Sequence, residues 1–482
     1  MTTSVPSSAS ERATVTESAR RIYLMKDLPP EVVAVAFAKT SRSPEPFDKI
    51  AEELTESASA QFHEKWVVGY GHASVAEHAM LSIAVENVSI IAAKAIEDNR
   101  LASYTEKSTR YQIYDPERVY RPASFRVHPE LNRRYEELIT GLLSTYIEWS
   151  ERAIDHLKAQ FPLEAGKSER MWHARLRARA CDAIRYLLPT ATLTNLGWTI
   201  NARALAGAIR KLTGSPLPEL RQIGEEVKAV AYEKVPTLLK YAEPDMARAA
   251  GIKDVQDSLN GTPHAQSRIV SDIPPDVRVL RYERDALQVL AVSVAYQGQM
   301  GDWARAEQVV AAMSEGEKRE LIGRVLVPLG PFDPLPRAFE HINYLIEITV
   351  DYGAWRDIQR HRIGTQLPQE LTPDLGYTVP ALIEEMGLRA EFEQWIGRSA
   401  AAYDAIHAEL PDEAVYALLL AFRKRSLFHW NLREVFHFVK LRGTSKGHDA
   451  YRAVAHDLWR KVLEVHPWLG GLLYPLGEDA RP

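Results

Sequence analysis

EHAMLSIAVE, residues 77 to 86, joins a Glu-His step to apolar side chains at alternate positions, Leu81, Ile83 and Val85. Alternation of period two is the pattern of a strand with one buried face. The pattern returns in EHINYLIEITV, residues 340 to 350, where Tyr344, Ile346, Ile348 and Val350 alternate at an offset of 263. Two further segments repeat in the same order. EVVAVAFAKTS (31 to 41) resembles QVLAVSVAYQG (288 to 298) at an offset of 257, and LGWTINAR (196 to 203) answers to LFHWNLRE (427 to 434) at 230, with Asn-x-Arg kept. The drifting offsets imply insertions and deletions between two copies, and the preserved order implies a duplication.

One unit is therefore expected over about 20–243 and a second, divergent one over 274–476. Residues 244–273 mix Gly, Pro, Ser and Asp without sustained periodicity and read as a linker holding one helical turn; residues 1–19 read as a disordered tail. Leu131, Tyr135, Leu138, Leu142, Tyr146, Trp149 and Ala153 recur at three- or four-residue steps, which predicts a long amphipathic helix. KSERMWHARLRARACDAIRYLLP, stopped by Pro189, and PELRQIGEEVKAVAYEKVPTLL, opened by Pro218, predict two more. Many helices and few strands point to an α+β fold, two homologous helix-rich domains each with a small, mostly antiparallel sheet.

Bulk properties narrow the partners. A chain of 482 residues exceeds one ordinary core, and its net charge of −5 without a sustained basic run argues against nucleic acid. Cys181 is the only cysteine, so neither a disulfide framework nor a cysteine metal site forms within one chain, which suits a reducing cytoplasm. No apolar run approaches the roughly 18 residues of a membrane span. No membrane and no metal are expected.

SYTEKSTRYQ, residues 103 to 112, packs hydroxyls, a carboxylate and a guanidinium into ten positions. Arginine forks and hydroxyls suit phosphate oxygens. A carboxylate repels them, so Glu106 is expected to face a base N–H or a ribose hydroxyl instead. DIQRHRIGTQLPQELT, residues 357 to 372, looks like a damaged relative of the same stretch. Trp198 and Trp430, each near an Asn-x-Arg, read as core, as does Cys181.

Both stretches follow a Glu-His strand by about twenty residues and precede an Asn-x-Arg, and in this company the chain resembles the flavin-dependent thymidylate synthases, as a tandem duplication. That family carries R-H-R-x-x-S-x-N-E-x-S-x-R after G-H-x-S/T-x-x-E-H. In the first copy GHASVAEH supplies Gly71, His72, Ser74, Glu77 and His78; Arg100, Ser103, Glu106, Ser108 and Arg110 match, while Asp98 and Asn99 replace the leading Arg-His. In the second copy Arg360, His361 and Arg362 restore the triplet, but the Ser-x-Arg is lost, leaving Thr372 and Asp374, and Val415 stands for Arg185. Arg442 stands where the first copy has Leu212, and the Gly-His histidine has become Leu335. The resemblance implies substrate contacts from Glu106, Ser108, Arg110, Arg185, Arg360 and Arg442, with Ser108, Arg185 and Arg442 catalytic. It implies cofactor contacts from His72, Ser74, Glu77, Arg100, Asn201, Arg203, Arg360, His361, Arg362, Asn431, Arg433 and His437.

The implied reaction makes dTMP from dUMP with FAD as cofactor and methylenetetrahydrofolate and NADPH as co-substrates. The family's homotetramer, with pockets between subunits, implies a homodimer of this doubled chain. Because each copy keeps what the other lacks, Ser108, Arg110 and Arg185 are expected to meet Arg360 and Arg442 in one hybrid pocket. The alternatives are a decayed nucleotide- or flavin-binding relative, and a flavoenzyme methylating another uridine nucleotide.

Overall fold

Three strands, β1 (Met80–Ser89), β2 (Ala102–Glu106) and β3 (Leu193–Asn201), form an antiparallel sheet of order β1-β3-β2. Four more, β4 (Asp276–Tyr282), β5 (Asn343–Asp351), β6 (Thr365–Pro368) and β7 (Arg423–Asn431), form a second of order β4-β5-β7-β6. The computed structural model describes residues 23, 25, 28–41, 43–69, 73–260, 275–445 and 447–476; the expected tail and residues 261–273 of the expected linker lie outside them.

The repeat seen in the sequence is a repeat of register. Met80 faces Asn201 in the first sheet and Asn343 faces Asn431 in the second, so the offsets of 263 and 230 describe one ladder built twice. A bulge in β1 between Val85 and Val88, with Asn87 at φ 59°, takes up one residue. Beyond it Ser89 and Asp351 are counterparts, facing Leu193 and Arg423. The alternating residues point inward: Leu81 and Val85 are buried, as are Tyr344, Ile346, Ile348 and Val350, and both Trp198 and Trp430 are core.

The two sheets repack differently at one place. Ala102 faces Ile200 in the first sheet, whereas in the second Gly364, one residue before β6, lies against Trp430. A Cβ on Gly364 would overlap the Trp430 indole. Gly364→Ala is expected to destabilise the fold by about 1–3 kcal/mol through overpacking, read from urea unfolding.

The long helix runs over Pro129–Gln160, with all seven residues of its predicted stripe buried. The other two predicted helices form over Glu169–Ile184 and Pro218–Tyr232. Pro129–Gln160 and Glu169–Ile184 bury their apolar faces in one continuous core with the second half, while a separate cluster lies under β1 and β3. The copies seen in sequence are thus not independent packing units.

At the seam the halves exchange backbone hydrogen bonds. Thr190 N–H donates to Leu418 O (2.8 Å) and Leu420 N–H to Leu188 O (2.9 Å); the offset of 230 carries Thr190 onto Leu420 and Leu188 onto Leu418, so the two bonds are reciprocal and a local twofold axis relates the halves. Flanking it are the helices Ile90–Glu97 and Tyr352–Ile358, capped by Ser89 and Asp351, whose side chains accept from Ala92 N and Ala354 N.

The linker reading needs correction, because Met246–Asn260 forms a helix of 15 residues rather than a single turn. Its MARAA start favours helix by intrinsic propensity, but it buries little, so no apolar stripe marks it in the sequence. Among the described residues no helix is long and apolar enough to cross a membrane.

Candidate functional site

The seam gathers charge. β2 ends in Glu106, and the turn after it carries Ser108, Thr109 and Arg110; the helix Glu169–Ile184 brings Asp182, and Arg185 follows in a short 3-10 turn. From the second half come Arg356 and Asp357 on Tyr352–Ile358, the triplet Arg360–His361–Arg362 beyond it, Arg442 at the end of Leu432–Arg442, and Tyr451 in Asp449–Val465.

Thr109 and Tyr451 each join arginines of the two halves. Thr109 Oγ1 accepts from Arg185 Nη1 (3.3 Å) and from Arg356 Nη1 (3.4 Å), one arginine from each half. Tyr451 accepts from Arg110 Nη1 (2.9 Å), and the guanidiniums of Arg110 and Arg442 lie 5.7 and 5.4 Å from its ring centroid. Arg110 also grips Asp182 through Nε (2.6 Å) and Nη2 (2.9 Å), which holds its charge firmly against the cost of burial. Ser108 Oγ accepts from the Arg110 backbone N–H (3.2 Å). Arg185 is 2% exposed, and its Nε and Nη2 have no hydrogen-bond partner among the described residues. Unpaired donors in a buried guanidinium are a ready place for anion oxygens.

Glu106 sits beneath this cluster with its side chain 1% exposed, between Arg356 (2.6 Å), Lys94 (2.9 Å) and Arg360 (3.7 Å). Burial alone would raise its pKa, but Arg356, Lys94 and Arg360 prevail and hold the carboxyl down at about 2. Its carboxylate is thus engaged by protein cations, where the sequence reading had it facing a base or ribose. Lys94 and Arg356 are themselves counterparts across the twofold, so both halves' cations converge on one acid. Asp351, buried beside Arg185, is pushed up to about 6 by burial, against the Ala354 N–H and the Arg185 charge. His448 is pushed down to about 3 by burial and by Arg185, which keeps it neutral.

A cavity of about 200 Å³ opens beside Glu106, lined by Glu97, Tyr104, Thr105, Glu106, Arg360 and Arg362. Arg362 lies 4.6 Å from the Tyr104 ring centroid and donates to Ala102 O (2.9 Å); Arg100 reaches across to Thr365 Oγ1 (3.3 Å).

The remaining candidates lie apart. Glu77 and Arg203 pair at 2.5 Å at the outer end of the first sheet, near the exposed Ser74, and Asn201 caps its helix by accepting from Ala204 N. Glu340 and Arg433 repeat the pair at 2.9 Å, and Asn431 repeats the cap. No hydrogen bond or ion pair joins Glu77 or Arg203 to the seam cluster among the described residues. His437 neighbours His361, with ring centroids 5.7 Å apart. His72 lies outside the described residues.

The opposite side of the twofold is not equivalent. Val415 replaces Arg185, buried Leu212 replaces Arg442, Asp98 replaces Arg360, and Pro368 takes the register position of Glu106. Ser89 and Tyr416 there serve a buried carboxylate: Glu219 accepts from Ser89 N (2.8 Å), Ser89 Oγ (2.6 Å) and Tyr416 Oη (2.7 Å). Burial raises the pKa of Glu219, as expected without a cation.

Sequence reasoning missed Lys94, Arg356, Asp182, Asp357, Thr109, Tyr451 and Glu434. A signal existed for the first two: a cation interrupts an apolar helix at the same position of both copies, in IIAAKAIE and YGAWRDI.

Comparison with known proteins gives the class. The model of the family described as thymidylate synthase complementing protein matches twice, over residues 23–237 and 278–468. The chain therefore belongs to this family, that of the flavin-dependent thymidylate synthases. It is 28% identical over 477 residues to a UPF0159 protein of Chlamydia muridarum, covering 92% of this chain and 90% of that one. A flavin-dependent thymidylate synthase of Clostridium tetani is 27% identical over 226 residues, which is 46% of this chain and 87% of that one. A solved flavin-dependent thymidylate synthase from Helicobacter pylori, complexed with FAD and dUMP, is 18% identical, with a TM-score of 0.31 over 41% of this chain and all of that one.

Proposed function

We propose that the chain converts dUMP to dTMP with methylenetetrahydrofolate as one-carbon donor and NADPH as reductant, in one hybrid pocket made by both halves. The observation that carries this reading is the meeting of Arg110 and Arg442 on Tyr451, beside the unpaired donors of Arg185. Ser108, Arg110 and Arg185 hold the phosphate. Arg442 stabilises negative charge that develops on the pyrimidine, a role suited to a fixed guanidinium in a site shielded from water. Glu106 keeps Arg356 and Arg360 in place.

The residues available for FAD fit an anionic dinucleotide. Arg360 and Arg362 line the cavity and can meet the dinucleotide's phosphates. When bound, FAD supplies the hydride that reduces the transferred carbon. Asp98, Val415 and Leu212 leave the opposite side without the cations a phosphate needs, so each chain holds one nucleotide. Units over 20–243 and 274–476, paired in a cytoplasmic homodimer, supply the four copies that the family resemblance implies.

Flavin absorbance of the purified protein and tritium release from 5-tritiated dUMP test the reading. Release that requires both folate and flavin is expected; release from UMP instead would move the assignment to another uridine nucleotide. The second reading, a decayed nucleotide-binding relative, is favoured by the grip of Asp182 on Arg110. Protein that takes up no flavin and binds no dUMP would establish it.

A further inference from the structure

Glu434 directly follows the Asn-x-Arg of the second copy and was given no role by it, yet it begins a chain of polar contacts that ends in the pocket. His361 Nδ1 lies 2.7 Å from Glu434 Oε1, and Arg442 Nε lies 3.2 Å from His361 Nε2. Arg442 Nη2 donates to Asp357 O (2.9 Å). A guanidinium N–H can only donate, so His361 Nε2 must accept; its single proton then sits on Nδ1 and is donated to Glu434.

The first half lacks all three members together. The counterparts of His361, Glu434 and Arg442 are Asn99, Ala204 and Leu212. Loss of the whole set on one side of the twofold, and retention of the whole set on the other, marks the three as a unit. Glu434 also stands in the first turn of its helix, where a carboxylate is favourable on its own account. That benefit does not require His361.

We infer that Glu434 is a positioning residue: by fixing the proton of His361 on Nδ1, it leaves the Nε2 lone pair to aim Arg442 into the nucleotide pocket. This rests on the nucleotide reading of the pocket. Burial, aided by Arg442 and His437, pushes the His361 pKa down, opposed by Glu434, which agrees with a neutral ring.

Two measurements on the full-length chain test it. In histidine-labelled protein, nitrogen NMR should find His361 protonated at Nδ1 and bare at Nε2, and Glu434→Ala should shift the tautomer toward Nε2–H. A wild-type ring protonated at Nε2 overturns the proposal whatever the protein binds. In dUMP titrations Glu434→Ala should weaken binding about tenfold, about 1.4 kcal/mol, a large part of the effect of Arg442→Ala. His361→Gln, whose side-chain oxygen can accept from Arg442, should make dUMP affinity indifferent to residue 434. Should Arg442→Ala weaken binding while Glu434→Ala stays within twofold of wild type, the relay is wrong and the nucleotide reading stands. If Arg442→Ala itself leaves dUMP affinity unchanged, the nucleotide reading fails and the aiming role with it.

Discussion

Replacing Glu106 by Gln is expected to lower the free energy of unfolding at pH 7 by about 3–5 kcal/mol, because it takes the paired carboxylate from buried Arg356 and leaves buried Lys94 with Glu97 alone. The replacement keeps the shape and removes only the charge, so the loss reports the ion cluster rather than a cavity. Its pH dependence has a definite sign. The folded-state pKa of Glu106 is depressed to about 2, below that of an unfolded glutamate. The stabilisation is therefore present above the unfolded value near 4.3 and is lost as pH falls from there through about 2. Denaturant unfolding of wild type and variant should give a wide gap at neutral pH that closes on acidification. An unchanged gap at pH 7 and pH 2.5 would show that the cluster does not hold the seam together.

The second large effect concerns binding. Arg110→Ala and Arg442→Ala come from different halves of the chain, yet each is expected to weaken dUMP binding by at least about thirtyfold, roughly 2 kcal/mol, because each removes a donor from a desolvated anion site. The two arginines share Tyr451, so the double variant should lose less than the sum of the single losses. Arg319→Ala, an exposed helix arginine paired with Glu315, serves as the control and should not change affinity. Calorimetric titration with unfolding midpoints measured in parallel separates loss of binding from loss of fold. If only the first-half variant weakened binding, the pocket would belong to one half and the hybrid reading would fail.

The parts of the fold visible in the sequence are those set by local periodicity. Leu81 to Val85 and Tyr344 to Val350 announce their strands because every second side chain must be buried, and the stripe from Leu131 to Ala153 announces its helix by the same logic at period 3.6. Met246–Asn260 could not be found that way, since it forms on propensity with little burial. The sharing of one core between Pro129–Ile184 and the second half is also hidden, because periodicity tells which face is buried but not against what. In the site, Ser108, Arg110 and Arg442 were readable because a motif surrounds them. Asp182, Tyr451 and Glu434 were not, because each acts on a partner tens to hundreds of positions away that only the folded chain brings near.

The reciprocal bonds between 188–190 and 418–420 carry a consequence for how such a molecule can change. Where two identical polypeptides meet about an axis, any replacement at the boundary is imposed on both sides at once, and a residue useful on one flank must be tolerated on the other. Joining the two in one gene removes that coupling. Proline can occupy one flank while glutamate is kept opposite, and valine can stand on one side while its twin location keeps an arginine.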